Sequence, residues 1–157
     1  MIQQRVGDLL EIHFENRYFY VLVLTKIVMF GGNIVFAFHG DGRKRSAEHL
    51  LAHGSGFNVC IDLLMAKKQG SVRRLTRISE LDRFWKSRLV KGTNEIRPGV
   101  KAREWWIFRV EDLENHIDRT SYMPERYRKA MDDGTFSFDL AAKMMLEGYT
   151  PDKNQHL

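Results

Sequence analysis

The residues whose types could do chemistry come in small, separate sets. His49 and His53 stand four apart in "EHLLAH", a spacing that puts two imidazoles on one face of a helix, as zinc ligation would need. The zinc-protease signature places its glutamate directly after the first histidine. Here Glu48 precedes it, so a general base would fall on the wrong face. His39, just before "GDG", is a third ligand only if the fold carries it back. "GSG" at 54–56 lacks the outer positions of a G-x-S-x-G elbow, and its Ser55 follows a helical stretch where the elbow requires a strand. The glycines of "HGDGR" do not fit a P-loop.

Cys60, the single cysteine, lies in the apolar run "FNVCIDLLM", with nothing beside it in sequence to lower its pKa. It reads as a core side chain, and no internal disulfide is possible. Asp62 in the same run either faces outward from a strand or pairs with a buried cation. Asp132 and Asp133, followed by Gly134, read as a helix end and a turn. These sets predict no catalytic residue, metal or cofactor, and a protein that is not an enzyme and acts by binding.

Charge narrows the partner. The chain has 157 residues, a net charge of +5 and 43% hydrophobic residues, enough for a single domain with a real core. Residues 1–42 carry 3 basic and 4 acidic side chains, 43–110 carry 16 and 6, and 111–157 carry 6 and 10, so the middle is basic and the tail acidic. The densest basic runs are "RKR" at 43–45 and "KKQGSVRRLTR" at 67–77, the kind of surface nucleic acid selects. "YFYVLVLT" is far too short to cross a membrane, and "MIQQRVGD" does not read as a signal peptide, so the expectation is a soluble, cytoplasmic protein with no membrane partner.

The elements that would hold these residues begin with a hairpin. In "GDLLEIHFENRYFYVLVLTKIV" Leu10, Ile12 and Phe14 alternate with Glu11, His13 and Glu15, as in a half-buried strand. Asn16 and Arg17 are the expected turn, and Tyr18 to Val28, apolar on both sides, is the expected central strand. "IVFAF", "FNVCIDLLM", "SVRRLTRIS" and "EWWIFRV" are further strands. Ser46 caps a short helix ended by Gly54. The tail is predicted helical in "VEDLENHI", in "MPERYRKAMDDG" and in "TFSFDLAAKMMLEG", where Phe138, Ala141, Ala142 and Met145 share one face. The fold class is thus α+β: residues 1–110 form a mainly antiparallel bent sheet or small barrel, and residues 111–157 a helical extension packed on it, all in one domain.

Binding candidates follow from this layout. In "KAREWWIFRV" the face with Glu104, Trp106, Phe108 and Val110 is the better core candidate. Trp105 then lies either under the helical tail or exposed beside Arg103 and Arg109, where it would anchor a partner. Glu111, Asp112, Glu114 and Asp118 line one side of the expected helix and offer an acidic contact. The competing reading is a nucleic-acid-binding β-barrel module, with Tyr18 and Tyr20 as stacking platforms framed by Arg73, Arg74 and Arg77.

Two stretches favour a protein partner. "VGDLLEIHFENRYFYVLVL" and "REWWIFRV" resemble the opening strands and the tryptophan-bearing strand of the immunity protein twenty-six family of bacterial polymorphic toxin systems, with Gly7, Asp8 and one of Trp105 or Trp106 at matching positions. The resemblance implies a mainly β protein without catalysis that binds a cognate toxin and occludes its active site. If that toxin is a cationic nuclease, the acidic tail would supply the contact.

Overall fold

A computed structural model describes residues 4–157. The alternating opening sequence forms β1 (Asp8–Phe14), joined to β2 (Arg17–Ile27) by a tight turn at Glu15 and Asn16. Both have positive φ, 48° and 61°, the geometry of a type I′ hairpin, so the turn sits one residue earlier than the sequence predicts. β3 (Asn33–Phe38) and β4 (Gly56–Ile61) continue the antiparallel sheet, and β5 (Ser71–Arg77) adds to the far side of β1. The order is β4-β3-β2-β1-β5, an open sheet and not a barrel.

Two short helices are placed by their caps. Ser46 Oγ accepts from His49 N to start α1 (Ala47–His53), whose Leu50 is buried. Asp62 accepts from Leu64 N and Met65 N, both at 3.0 Å, to start α2 (Leu63–Gln69). Asp62 therefore neither lies on a strand nor pairs with a buried cation; the apolar run changes from strand to helix at that residue.

One face of this sheet, with Leu10, Ile12, Phe19, Val21, Val23, Val35, Phe57 and Val59, packs on α2 and on α3 (Phe138–Glu147). α3 buries Phe138, Ala141, Ala142 and Met145, as the sequence predicts, together with Met144, and ends at Gly148 in the left-handed region. On the opposite face Phe84 packs edge-on against Phe36 and Phe38, and its carbonyl accepts from Asn58 Nδ2 at 2.8 Å. This sheet, with residues up to Trp85 and Gly134–Tyr149, is one of two compact units.

The second unit comprises Lys86–Asp133 and Thr150–Leu157. Its sheet has the order β8-β7-β6-β9, built from β6 (Leu89–Gly92), β7 (Glu104–Arg109), β8 (Asp112–Ser121) and the two-residue β9 (Met131–Asp132), which runs parallel to β6. Two expectations fail here. "VEDLENHI" is the start of an edge strand and not a helix: the chain reverses at Val110 and Glu111 and pairs Asp112 with Arg109, and the Asp112 carboxylate accepts from the Glu114 and Asn115 amides in the bulge that follows. "MPERYRKAMDDG" supplies one 3₁₀ turn at Glu125–Tyr127 and then β9. The α+β class holds, while most of the tail before α3 is strand or irregular. Among the described residues no helix is long and apolar enough to cross a membrane.

Candidate functional site

The doubled tryptophan is resolved by register. Trp105 is opposite Thr120 and Ile107 opposite Lys91, and these side chains share one face. Trp105 is 1% exposed and Ile107 fully buried, whereas Trp106 and Phe108 on the other face are half-buried. The preference for Trp106 as the core residue is thus corrected, and so is the role of Trp105 as a partner anchor, since no partner can reach it.

The interior that Trp105 faces also holds a residue that sequence reasoning passed over. Lys91 is 1% exposed, and its Nζ donates to the carbonyls of Arg128 (3.0 Å), Ala130 (2.6 Å) and Pro151 (2.9 Å) and lies 3.2 Å from Asp132 Oδ1. Burial pushes its pKa below the ordinary lysine value, and the Asp132 carboxylate opposes that shift. Asp132 also accepts from Asn154 Nδ2 at 2.7 Å. A lysine inside an unrecognised strand carries no sequence signal of burial; only reading "LVKG" as a further short strand could have hinted at it. The residues after α3 are tied in further by Ala102 N donating to His156 O and by His156 Nδ1 at 3.0 Å from Val100 O.

The outward-facing part of this unit is the β7–β8 hairpin. Arg109, Glu111, Asp112 and Glu114 are exposed around its turn, and Ile117 (44%) and Tyr122 (65%) add apolar surface along and just beyond β8. Arg119 sits 5.8 Å from the centre of the Trp106 ring and is ion-paired to Glu104. Asp118 accepts from Tyr127 Oη at 2.7 Å and from Arg126 at 3.3 Å, which hold its carboxyl below the usual aspartate range, the tyrosine contributing most. Arg103 is exposed on the approach to β7. Of the expected partner-binding set, Arg109, Glu111, Asp112 and Glu114 come together on a hairpin instead of a helix side, Asp118 is engaged within the unit, and Trp105 is removed.

The residues expected to hold nucleic acid divide between the two faces of the first sheet. Arg73 is opposite Glu11, and its Nη2 and Nε donate to Glu11 Oε1 at 2.8 and 3.2 Å; Tyr20, 3% exposed, donates to the other oxygen of the same carboxylate. Burial raises the Tyr20 pKa. Arg77 donates to Asp8 Oδ1 at 2.7 Å, and Asp8, fully buried, also accepts from Arg5 N. Gly7 before it has φ +90°, and a Cβ there would lie 2.2 Å from Ile78 O, so the Gly-Asp pair of the opening motif serves the β1–β5 junction. Arg74 alone faces the other way, opposite Leu10. Tyr20 as a stacking surface is corrected outright, because its ring is buried. Tyr18 is half-buried, stacked on His13 at 4.7 Å with Lys44 over its ring.

The remaining chemical sets are structural in their contacts. His49 and His53 have ring centroids 5.4 Å apart on α1, and among the described residues no group of three His, Cys, Asp or Glu could hold a metal ion. His39 Nε2 donates to the Tyr149 carbonyl, 2.6 Å away, and Nδ1 lies 3.2 Å from Ser55 Oγ. This ties the end of β3 to the residue following α3. Cys60 is buried beside Thr135, and burial pushes its thiol pKa up. Set against protein-family models, curated proteins and solved structures, the chain matches none of them.

Proposed function

We propose that the chain works by binding another protein, as an immunity protein that neutralises a cognate toxin in the bacterial cytoplasm by covering the toxin's active site. The observation that carries this reading is the exposed β7–β8 hairpin, where Glu111, Asp112 and Glu114 stand around the turn with Ile117 and Tyr122 further along. Carboxylates beside exposed aliphatic and aromatic side chains suit a cationic protein surface and would steer its approach. The resemblance of "VGDLLEIHFENRYFYVLVL" and "REWWIFRV" to immunity strands supplies the class of partner. The half-buried Trp106 under Arg119 replaces Trp105 as the aromatic and arginine pair near this surface.

Co-expression with the toxin-like product of a neighbouring gene, followed by pull-down, tests the reading. Charge reversal at Glu111 and Glu114 together is expected to weaken capture at least about tenfold and abolish protection of the cells. The melting temperature should stay within about two degrees, because both side chains are exposed and the Asp112 carboxylate keeps its bonds to the Glu114 and Asn115 amides. An intact chain that fails to protect sinks the proposal.

One observation favours nucleic acid as a second reading: the His13–Tyr18 stack with Lys44 over it, next to the exposed Arg43, is a platform on which a base can stack. Binding to a generic oligonucleotide that falls steeply with salt would favour it, and no binding at low salt would remove it.

A further inference from the structure

The first unit contains a cavity of about 250 Å³ between the last turn of α2, the start of β5 and the segment leading into β1. Leu10 and Val72 form its apolar part, Lys67 and Arg74 bring two cationic groups, and Gln4 and Ser71 complete the polar lining. Among the described residues no carboxylate lines it. Two features distinguish it from an ordinary surface dip.

The first is the orientation of Arg74. Its neighbours Arg73 and Arg77 bond to Glu11 and Asp8, while Arg74 stands opposite the aliphatic Leu10 in the β1–β5 register and lines the cavity. The second is Gln4, whose Oε1 is buried with no hydrogen-bond partner among the described residues. A buried carbonyl oxygen without a donor is destabilising, and a ligand hydroxyl would satisfy it. The volume holds roughly eight waters at liquid density, or one compact ring.

The geometry points to a binding site for a small hydroxylated carboxylate with an apolar body, of which 4-hydroxybenzoate is the simplest probe. The carboxylate meets the Arg74 guanidinium, whose paired N–H groups match its two oxygens, with the Lys67 ammonium contributing positive charge. The apolar body lies on Leu10 and Val72, and the hydroxyl donates to Gln4 Oε1. This site is independent of the protein partner proposed above, because none of its residues lies on the β7–β8 hairpin.

The test is a titration of the ¹⁵N-labelled full chain with 4-hydroxybenzoate, benzoate and inorganic phosphate in parallel. Saturable amide shifts confined to Leu10, Gly70, Ser71 and Val72 are expected, with dissociation constants in the range of about a millimolar. Benzoate, which lacks the hydroxyl, should bind several-fold more weakly, and Gln4→Leu should erase that difference. Arg74→Gln, at an exposed edge position, should weaken the hydroxy acid about tenfold while the rest of the spectrum and the melting temperature stay unchanged. Absence of shifts at several millimolar, or affinity indifferent to Arg74→Gln, overturns the proposal. Phosphate binding as tightly as either acid overturns the role given to the apolar floor.

Discussion

In the first sheet β2 is buried from Phe19 to Leu24 on both faces, and the charged side chains of β1 and β5 meet each other at one side. In the second sheet a lysine is as buried as a tryptophan, while a second tryptophan and a phenylalanine stay half-exposed. The first sheet buries apolar side chains on both faces of its central strand, and the two carboxylates it buries, Asp8 and Glu11, are paired to arginines of β5. The second, with strands of four and two residues among its members, turns one face inward around an ammonium group that satisfies three carbonyls and a carboxylate. Where the core is small, a polar group whose contacts are satisfied shares the interior with the aromatic, and burial no longer tracks hydrophobicity alone.

Four measurements would break or sharpen that contrast. Trp105→Ala should lower unfolding stability by about 4 kcal/mol in denaturant melts, and Trp106→Ala by less than about 1; equal losses would mean that both faces of the second sheet are covered alike. Lys91→Met should cost about 3 kcal/mol, since Asp132 and the three carbonyls lose their shared donor. A neutral result would show that the apolar members of the sheet suffice without it. In the first sheet Asp8→Ala should cost about 2 kcal/mol by stranding the Arg5 amide and the Arg77 guanidinium, whereas Glu114→Ala on the hairpin should leave the melt unchanged. The smallest effect is a titration. Asp118 has a depressed pKa in the fold, so its contacts stabilise above the ordinary carboxylate value of 3.8 and are lost as pH falls through the folded one. Tyr127→Phe removes the largest cause and should move the Asp118 carboxyl carbon shift midpoint up toward 3.8.

The sequence was most readable where one force dominated. The two-sided apolar run of β2, the Ser46 cap and the Gly148 stop of α3 all act locally, and the structure has each of them; β1 is a strand as expected but not a half-buried one, since Asp8 to Ile12 are buried on both faces with Glu11 held by Tyr20 and Arg73. The edge strand β8 was misread because polar residues on both its faces leave no period of two, and its carboxylates happen to fall at helical spacings. Trp105 was misjudged because its face ends in Arg109, a visible charge, while the lysine that shares its interior comes from a strand that went unrecognised. For the candidate site, the acidic residues were found and their element was wrong. The arginine run was counted as one surface, although register sends Arg73 and Arg77 to carboxylates on β1 and Arg74 to the opposite side.

The first unit is interrupted in sequence: its sheet is complete by residue 77, yet α3, which supplies Phe138, Ala141 and Met145 to the core over Phe19, Val21 and Phe57, arrives only after all the strands of the second unit. On the ribosome the sheet therefore emerges with only α2 over its inner face while about sixty further residues are made, at about 5–20 residues per second. For several seconds of each synthesis that apolar face is open to chaperones or to neighbouring nascent chains. A ribosome stalled between residues 85 and 134 should display an aggregation-prone intermediate that the finished protein never shows.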